Sequence, residues 1–235
     1  MTTAAANPRN LLTSLILVFP LFLIYQLGVL FTLPMLNGAD FVTLLLFQTF
    51  GLSLQGYLGF LGGVLCLFLM ALLVLRRRQR FDRATIIPVL LESVVWALTM
   101  GSVIVFIMTK ILGIPPRLAV GVEGQGLLTR FVMSLGAGVY EETVFRLGLM
   151  NGLDVLLEKA FKVVRWVALL TALLFSAAVF SAAHHLPPYG DPLALGPFVF
   201  RLLAGIFFGL LFSRRGFAVA VYTHAFYDIF VLVVR

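Results

Sequence analysis

The residues best suited to chemistry lie together in one apolar stretch, GAGVYEETVFR, at residues 136–146. A charged side chain inside a membrane segment is energetically costly, so such residues usually face a protein interior or a water-filled cavity and carry function. On a helix, Glu142 and Arg146 lie one turn apart on the same face and can form an ion pair. Glu141 points about 100° away from that pair and is the candidate general base. The alternative is that all three form a buried polar brace between helices.

Two later apolar stretches also carry polar residues. FSAAHH ends with His184 and His185, although a histidine at a helix end is often only a capping or interfacial residue. The last stretch contains His224 and Asp228, which are four residues apart and share one helix face. There the carboxylate can accept the imidazole N–H and fix the tautomer, so that the other ring nitrogen is free to act. The alternative is a hydrogen bond that only holds the last helix in place.

These polar groups together suggest a hydrolytic site. The set offers a carboxylate to deprotonate water, a histidine to share in that activation and a second histidine to stabilise an oxyanion. Attack of water on an amide is the reaction class that this combination fits.

The elements that must position these groups are membrane helices. Of the 235 residues, 61% are hydrophobic and only 11% are charged, and apolar runs of about 20 residues recur along the chain. This pattern predicts an all-α, polytopic transmembrane bundle of about seven or eight helices with an intramembrane active site. We expect one integral-membrane domain at 1–235, with N-terminal spans at 1–126 and a catalytic core at 127–235.

The apolar runs predict seven spans and one short interfacial segment. The candidate groups lie on the fourth, fifth and seventh spans. Glu141 and His184 reach the same depth if the fourth helix continues past Met150 toward Glu158, and we predict this extension. The spans are predicted at 11–33, 55–75, 86–112, 127–150, 167–185, 197–212 and 217–234, and the interfacial segment at 41–52.

The positive charge follows the membrane topology. A net charge of +7 suggests nucleic acid in a soluble protein, but here most basic residues lie in short loops between apolar runs. We therefore expect no nucleic-acid partner. A cytoplasmic N-terminus places eleven of the seventeen Lys and Arg residues on the cytoplasmic side, as the positive-inside rule requires. These are Arg9, Arg76, Arg77, Arg78, Arg80, Arg83, Lys159, Lys162, Arg165, Arg214 and Arg215.

Together the three polar stretches resemble the CAAX prenyl endopeptidase and bacteriocin-processing family of intramembrane glutamate proteases, also called the ABI or CPBP family. The family motifs are EExxxR, FxxxH and HxxxN or HxxxD. They match residues 141–146, 180–184 and 224–228, in order and each on a predicted membrane helix. The resemblance covers about 127–234, whereas residues 1–126 match only in being apolar spans.

The resemblance implies a role for each matched residue. Glu141 would activate water with help from His184, and His224 with Asp228 would form the oxyanion or carbonyl site. Several characterised members have Asn at the position of Asp228. An ionised carboxylate only accepts hydrogen bonds, so we expect Asp228 to orient His224 instead. His185 competes with His184, and the motif spacing favours His184. The supporting residues are Glu142, Arg146 and Phe180.

The leading prediction is an endopeptidase without a metal or other cofactor. The resemblance implies that it cleaves a membrane-anchored peptide or protein near its C-terminus, or at a leader or sorting signal, in a prokaryotic inner membrane. A zinc protease that uses the same glutamate and two histidines is an alternative, although HExxH is absent. A non-catalytic transport or immunity protein is another, although the inverted repeats typical of transporters are not detectable.

Overall fold

The computed structural model describes residues 10–50, 53–116, 124–186 and 192–234, and these residues form eight helices and no strand. The predicted all-α fold is therefore confirmed. We number the helices in chain order. Their bounds are Leu11–Thr32 (α1), Phe41–Phe50 (α2), Leu54–Leu75 (α3), Arg83–Ile111 (α4), 127–160 (α5), Arg165–Ala183 (α6), Leu195–Arg215 (α7) and Phe217–Val234 (α8).

Six of these helices, α1, α3, α4, α6, α7 and α8, are long and apolar enough to cross a bilayer. The chain is therefore an integral membrane protein. Helix α2 has only 10 residues, which is too short to span, and it occupies the predicted interfacial segment. Helix α5 is long enough but is not among the six, because it carries too many charged residues, among them the candidate acids.

Helix α5 has the predicted extension. It continues past Met150 without interruption and ends at Ala160. Over Ala137–Met150 the backbone takes up π-type winding, in which each N–H bonds five residues back, a form that is frequent at functional sites. The Pro187-Pro188 pair, which predicts a turn after the fifth span, lies outside the described residues.

Helix α8 forms the centre of the bundle. Every residue over 217–225 is buried, and α8 packs against α1, α4, α5 and α7. Helix α5 comes closest at Gly138, where a Cβ atom would lie 2.7 Å from the carbonyl oxygen of Val221. No larger side chain fits at that distance. The glycine thus brings the two adjacent glutamates of α5 within reach of His224.

Helices α6 and α7 form a second close pair. A Cβ atom at Gly205 would lie 2.9 Å from the Cα atom of Ala177. Near the end of α6, the Ser181 hydroxyl donates a hydrogen bond of 2.7 Å to the carbonyl of Phe198 on α7. These contacts fix the end of α6, which His184 immediately follows.

The predicted basic loops lie at one end of the bundle. The Asn10 side chain, at the start of α1, donates a 2.6 Å hydrogen bond to the carbonyl of Arg80. A cavity of about 450 Å³ at the same end is lined by Leu11, Arg165 and Arg214 among other residues. We call this the basic end. Helices α1 and α6 both begin here and run toward the opposite end, where the candidate site lies.

Candidate active site

Three helices bring the candidate groups together. Glu141 lies on α5, His184 follows α6 directly, and His224 lies on α8. The Oε2 atom of Glu141 is 3.6 Å from Nε2 of His184 and 3.8 Å from Nε2 of His224. One carboxylate oxygen therefore faces both imidazoles, as the three motifs predicted.

The two oxygens of Glu141 have different surroundings. The residue is 7% exposed, and its Oε1 atom accepts a 2.8 Å hydrogen bond from the Asn37 side chain. Its Oε2 atom is buried and accepts no hydrogen bond from the described part of the chain. Because buried polar atoms are nearly always hydrogen-bonded, an oxygen left without a donor calls for an explanation. This is the oxygen that lies between the two imidazole nitrogens.

The hydrogen bond at the other ring nitrogen of His184 fixes its tautomer. The Nδ1 atom lies 2.8 Å from the carbonyl oxygen of Phe180 and donates to it, satisfying one of the free carbonyls at the end of α6. The neutral ring then has its lone pair on Nε2, which faces Glu141. The ring of His185 packs instead on Phe198, with centroids 6.0 Å apart. The structure thus places His184 beside the glutamate.

The orientation of His224 differs from the prediction. Its Nδ1 atom lies 2.8 Å from Oε1 of Glu142, a fully buried carboxylate that accepts the N–H. Asp228 lies 3.8 Å from the other nitrogen, Nε2, which is beyond hydrogen-bond distance. The prediction that Asp228 accepts the imidazole N–H of His224 is therefore wrong, because Glu142 accepts it. Close contact of α5 with α8 at Gly138 brings the carboxylate of the neighbouring helix to Nδ1.

The predicted pair of Glu142 and Arg146 is confirmed. The Nε atom of Arg146 lies 3.3 Å from Oε2 of Glu142, and the arginine is 1% exposed. Its guanidinium lies over the ring of Phe180, 4.3 Å from the centroid, and its Nη2 donates a 3.4 Å hydrogen bond to the carbonyl of Gly205. The pair therefore connects α5, α6 and α7 beneath the site, while the other oxygen of Glu142 holds His224.

Sequence reasoning missed Asn37. It lies between α1 and α2, 104 residues before Glu141, in a stretch where Asn37, Gly38 and Asp40 predict only a turn. The turn signal was correct, because its Oδ1 atom accepts a 2.9 Å hydrogen bond from the N–H of Ala39. No local pattern indicates the second bond, from its amide nitrogen to Glu141.

In the ranges that the structure describes, no group of three or more His, Cys, Asp and Glu side chains is arranged to hold a metal ion. The groups that converge at Glu141 instead suit proton transfer, because each imidazole presents a nitrogen toward the carboxylate.

Comparison with known proteins supports the predicted family. Residues 123–230 match the family model described as Type II CAAX prenyl endopeptidase Rce1-like, a family of membrane endopeptidases. No curated protein and no solved structure matches the chain. The matched segment contains all three motifs and every predicted site residue. This segment, somewhat less than half of the chain, is thus similar to the family that the three motifs predicted.

Proposed function

We propose that this protein is a glutamate-type intramembrane endopeptidase, in which Glu141 deprotonates the water that attacks a peptide bond. The proposal is based on the surroundings of the Oε2 atom of Glu141. It is buried, accepts no hydrogen bond from the described residues, and lies 3.6 and 3.8 Å from two imidazole nitrogens. A water molecule bound there would donate to the carboxylate and be held within reach of both rings.

His184 shares in the activation of water. Because its Nδ1 donates to a backbone carbonyl, its Nε2 is a hydrogen-bond acceptor in the neutral ring. A water between Glu141 and this nitrogen donates one hydrogen to each. The oxygen lone pairs then point away from both acceptors, toward the peptide carbonyl.

His224 and Asp228 form the site for the substrate carbonyl. Glu142 accepts from Nδ1 of His224, so Nε2 carries a hydrogen only when the ring is the imidazolium. In that form Nε2–H donates to the carbonyl oxygen and stabilises the oxyanion that develops on it. Asp228, 3.8 Å from Nε2, favours the cation by its charge and does not itself bind the oxyanion.

The substrate is a membrane-anchored peptide or protein. The catalytic groups lie among helices that span the bilayer, so the scissile bond must reach them from within or beside the membrane. The matched family acts on prenylated C-termini by its name, and a lipid anchor would hold such a peptide at the right depth. A leader or sorting signal next to an apolar segment meets the same requirement.

The basic end is proposed to face the cytoplasm, by the positive-inside rule. Helices α1 and α6 begin at that end, and Asn37 and His184 follow their opposite ends. The site then lies nearer the other face, from which the peptide enters. Alkaline phosphatase fused to the C-terminus should be active, and green fluorescent protein fused there should be dark. The reverse result would show that the protein has the opposite orientation, and it would not contradict the peptidase proposal.

The test of the peptidase uses purified protein in liposomes and a library of lipid-anchored, quenched fluorescent peptides. Glu141→Gln should lower the cleavage rate by about 100- to 10,000-fold, the usual contribution of general acid–base catalysis. His184→Ala should also lower it strongly. His185→Ala is the matched control, and it should cleave at nearly the wild-type rate. Full activity of a folded Glu141→Gln protein, or no cleavage by the wild type, would contradict the proposal.

A further inference from the structure

Asn37 reaches the site from outside the segment that matches the family. Its Nδ2 atom donates a 2.8 Å hydrogen bond to Oε1 of Glu141. Its Oδ1 atom is occupied by the N–H of Ala39, at 2.9 Å. Because the turn uses the amide oxygen, the amide nitrogen must face the glutamate. The direction of this hydrogen bond is therefore fixed by the turn itself.

The turn around Asn37 is held rigidly against α1. The backbone N–H of Asn37 donates to the hydroxyl of Tyr25 at 3.1 Å, and that hydroxyl donates to Oδ2 of Asp40, also at 3.1 Å. Tyr25 is fully buried and Asp40 is 1% exposed. The other oxygen of Asp40 accepts the N–H of Thr43 at the start of α2. Three hydrogen bonds thus fix the turn between α1 and α2.

Helix α5 packs directly on this turn. A Cβ atom at Gly136 would lie 2.3 Å from the ring of Tyr25 and 3.1 Å from Cβ of Asn37. Only glycine allows so close an approach. This contact lies just over one turn before Glu141 on the same helix, and it sets the distance between the amide and the carboxylate.

We infer that Asn37 is a positioning residue for Glu141. By binding Oε1 it holds the carboxylate plane so that Oε2 faces the imidazoles of His184 and His224. The inference rests on the proposed role of Glu141 as the base. The inference extends the proposed function, because the N-terminal helices, which carry no family motif, then supply part of the active site. The segment at 123–230 is then insufficient for activity without the turn after α1.

The test compares Asn37→Asp with Asn37→Ala. Asn37→Asp has nearly the same shape and retains the oxygen that accepts from Ala39, but it loses the donor to Glu141 and places a second acid there. Asn37→Ala loses both bonds. Both variants should lower kcat by about 10- to 100-fold, the scale of losing a hydrogen bond to a charged group. KM should change less than about twofold, because Asn37 does not touch the peptide.

Thermal unfolding in detergent separates positioning from a merely structural role. Asn37→Asp keeps the turn but puts a second acid 2.8 Å from Glu141, so its unfolding temperature should fall, and kcat is compared at a temperature where every variant is folded. A wild-type kcat for Asn37→Asp, with activity lost only in an unstable Asn37→Ala, would make Asn37 a turn residue and overturn the inference. If Glu141→Gln is itself fully active, the proposed function fails. If Glu141→Gln is inactive and Asn37→Asp is normal, only this inference fails.

Discussion

Replacement of Arg146 by methionine tests how the site is supported. The arginine is 1% exposed and contacts Glu142, the carbonyl of Gly205 and the face of Phe180. Arg146→Met keeps much of the side-chain volume but removes the charge. Glu142 then stays buried without its cation, and breaking a buried ion pair in this way costs about 3–5 kcal/mol.

The expected loss is large enough to measure directly. For a chain of this size, about 1 kcal/mol shifts the unfolding temperature by about 2–4 °C. Arg146→Met should therefore lower Tm by about 6–20 °C in detergent micelles. Activity should fall as well, since Glu142 also holds His224. The measurements are thermal unfolding and cleavage of the lipid-anchored peptide at a temperature where both proteins are folded.

The double variant Glu142→Gln with Arg146→Met is the control. It removes both charges, so no uncompensated charge is buried, and at least half of the lost stability should return. Its activity should stay low, because a neutral amide replaces the carboxylate that accepts from His224. A single variant as stable as wild type would refute the assignment of a tight buried pair. A double variant as unstable as the single one would show that packing, and not charge, causes the loss.

Three further predictions concern the packing and chemistry of the site. Gly138→Leu should abolish cleavage, because the leucine side chain would collide with the carbonyl of Val221 and separate α5 from α8. The control is Gly152→Ala on the same helix, where a Cβ atom meets nothing within 4 Å, and its cleavage rate should be near that of the wild type. Ser176→Val should lower the free energy of unfolding by about 1–3 kcal/mol, because it removes the Ser176 hydroxyl that donates to the carbonyl of Phe145 at 2.6 Å. Denaturant titration would measure this loss. Chelator treatment should leave the cleavage rate unchanged, and loss of activity restored by zinc would instead support a metalloprotease.

Much of the fold is readable from local patterns. The apolar runs predicted the spans because a helix in lipid must be apolar over about 20 residues. The arginine-rich loop after the second predicted span ended that span at residue 75, where α3 ends. The extension of α5 past Met150 toward Glu158 was predicted because Glu141 and His184 otherwise lie at different depths, and α5 in fact ends at Ala160. The spans were predicted from the length and composition of single segments, and the extension of α5 from the depths of two residues on different helices.

Which side chains of the site bind each other was harder to predict from the sequence. The ion pair of Glu142 and Arg146 was predicted correctly, because four residues on one helix fix the distance. The same reasoning assigned the N–H of His224 to Asp228, and this was wrong. Helical spacing gives the neighbours on one helix, whereas a side chain on an adjacent helix can lie closer. Here Glu142 lies 2.8 Å from Nδ1, although the two residues are 82 positions apart.

From the residues alone, this chain was assigned as a helical membrane protein with acids and histidines in three motifs on its helices. Which atoms of these residues come into contact depends on the packing of the helices. Glycines at 136 and 138 let α5 approach the turn after α1 and the central helix α8. That approach places Asn37 on one oxygen of Glu141 and two imidazoles beside the other. Contacts of this kind depend on how closely whole helices pack, and the periodicity of a single helix does not encode that distance.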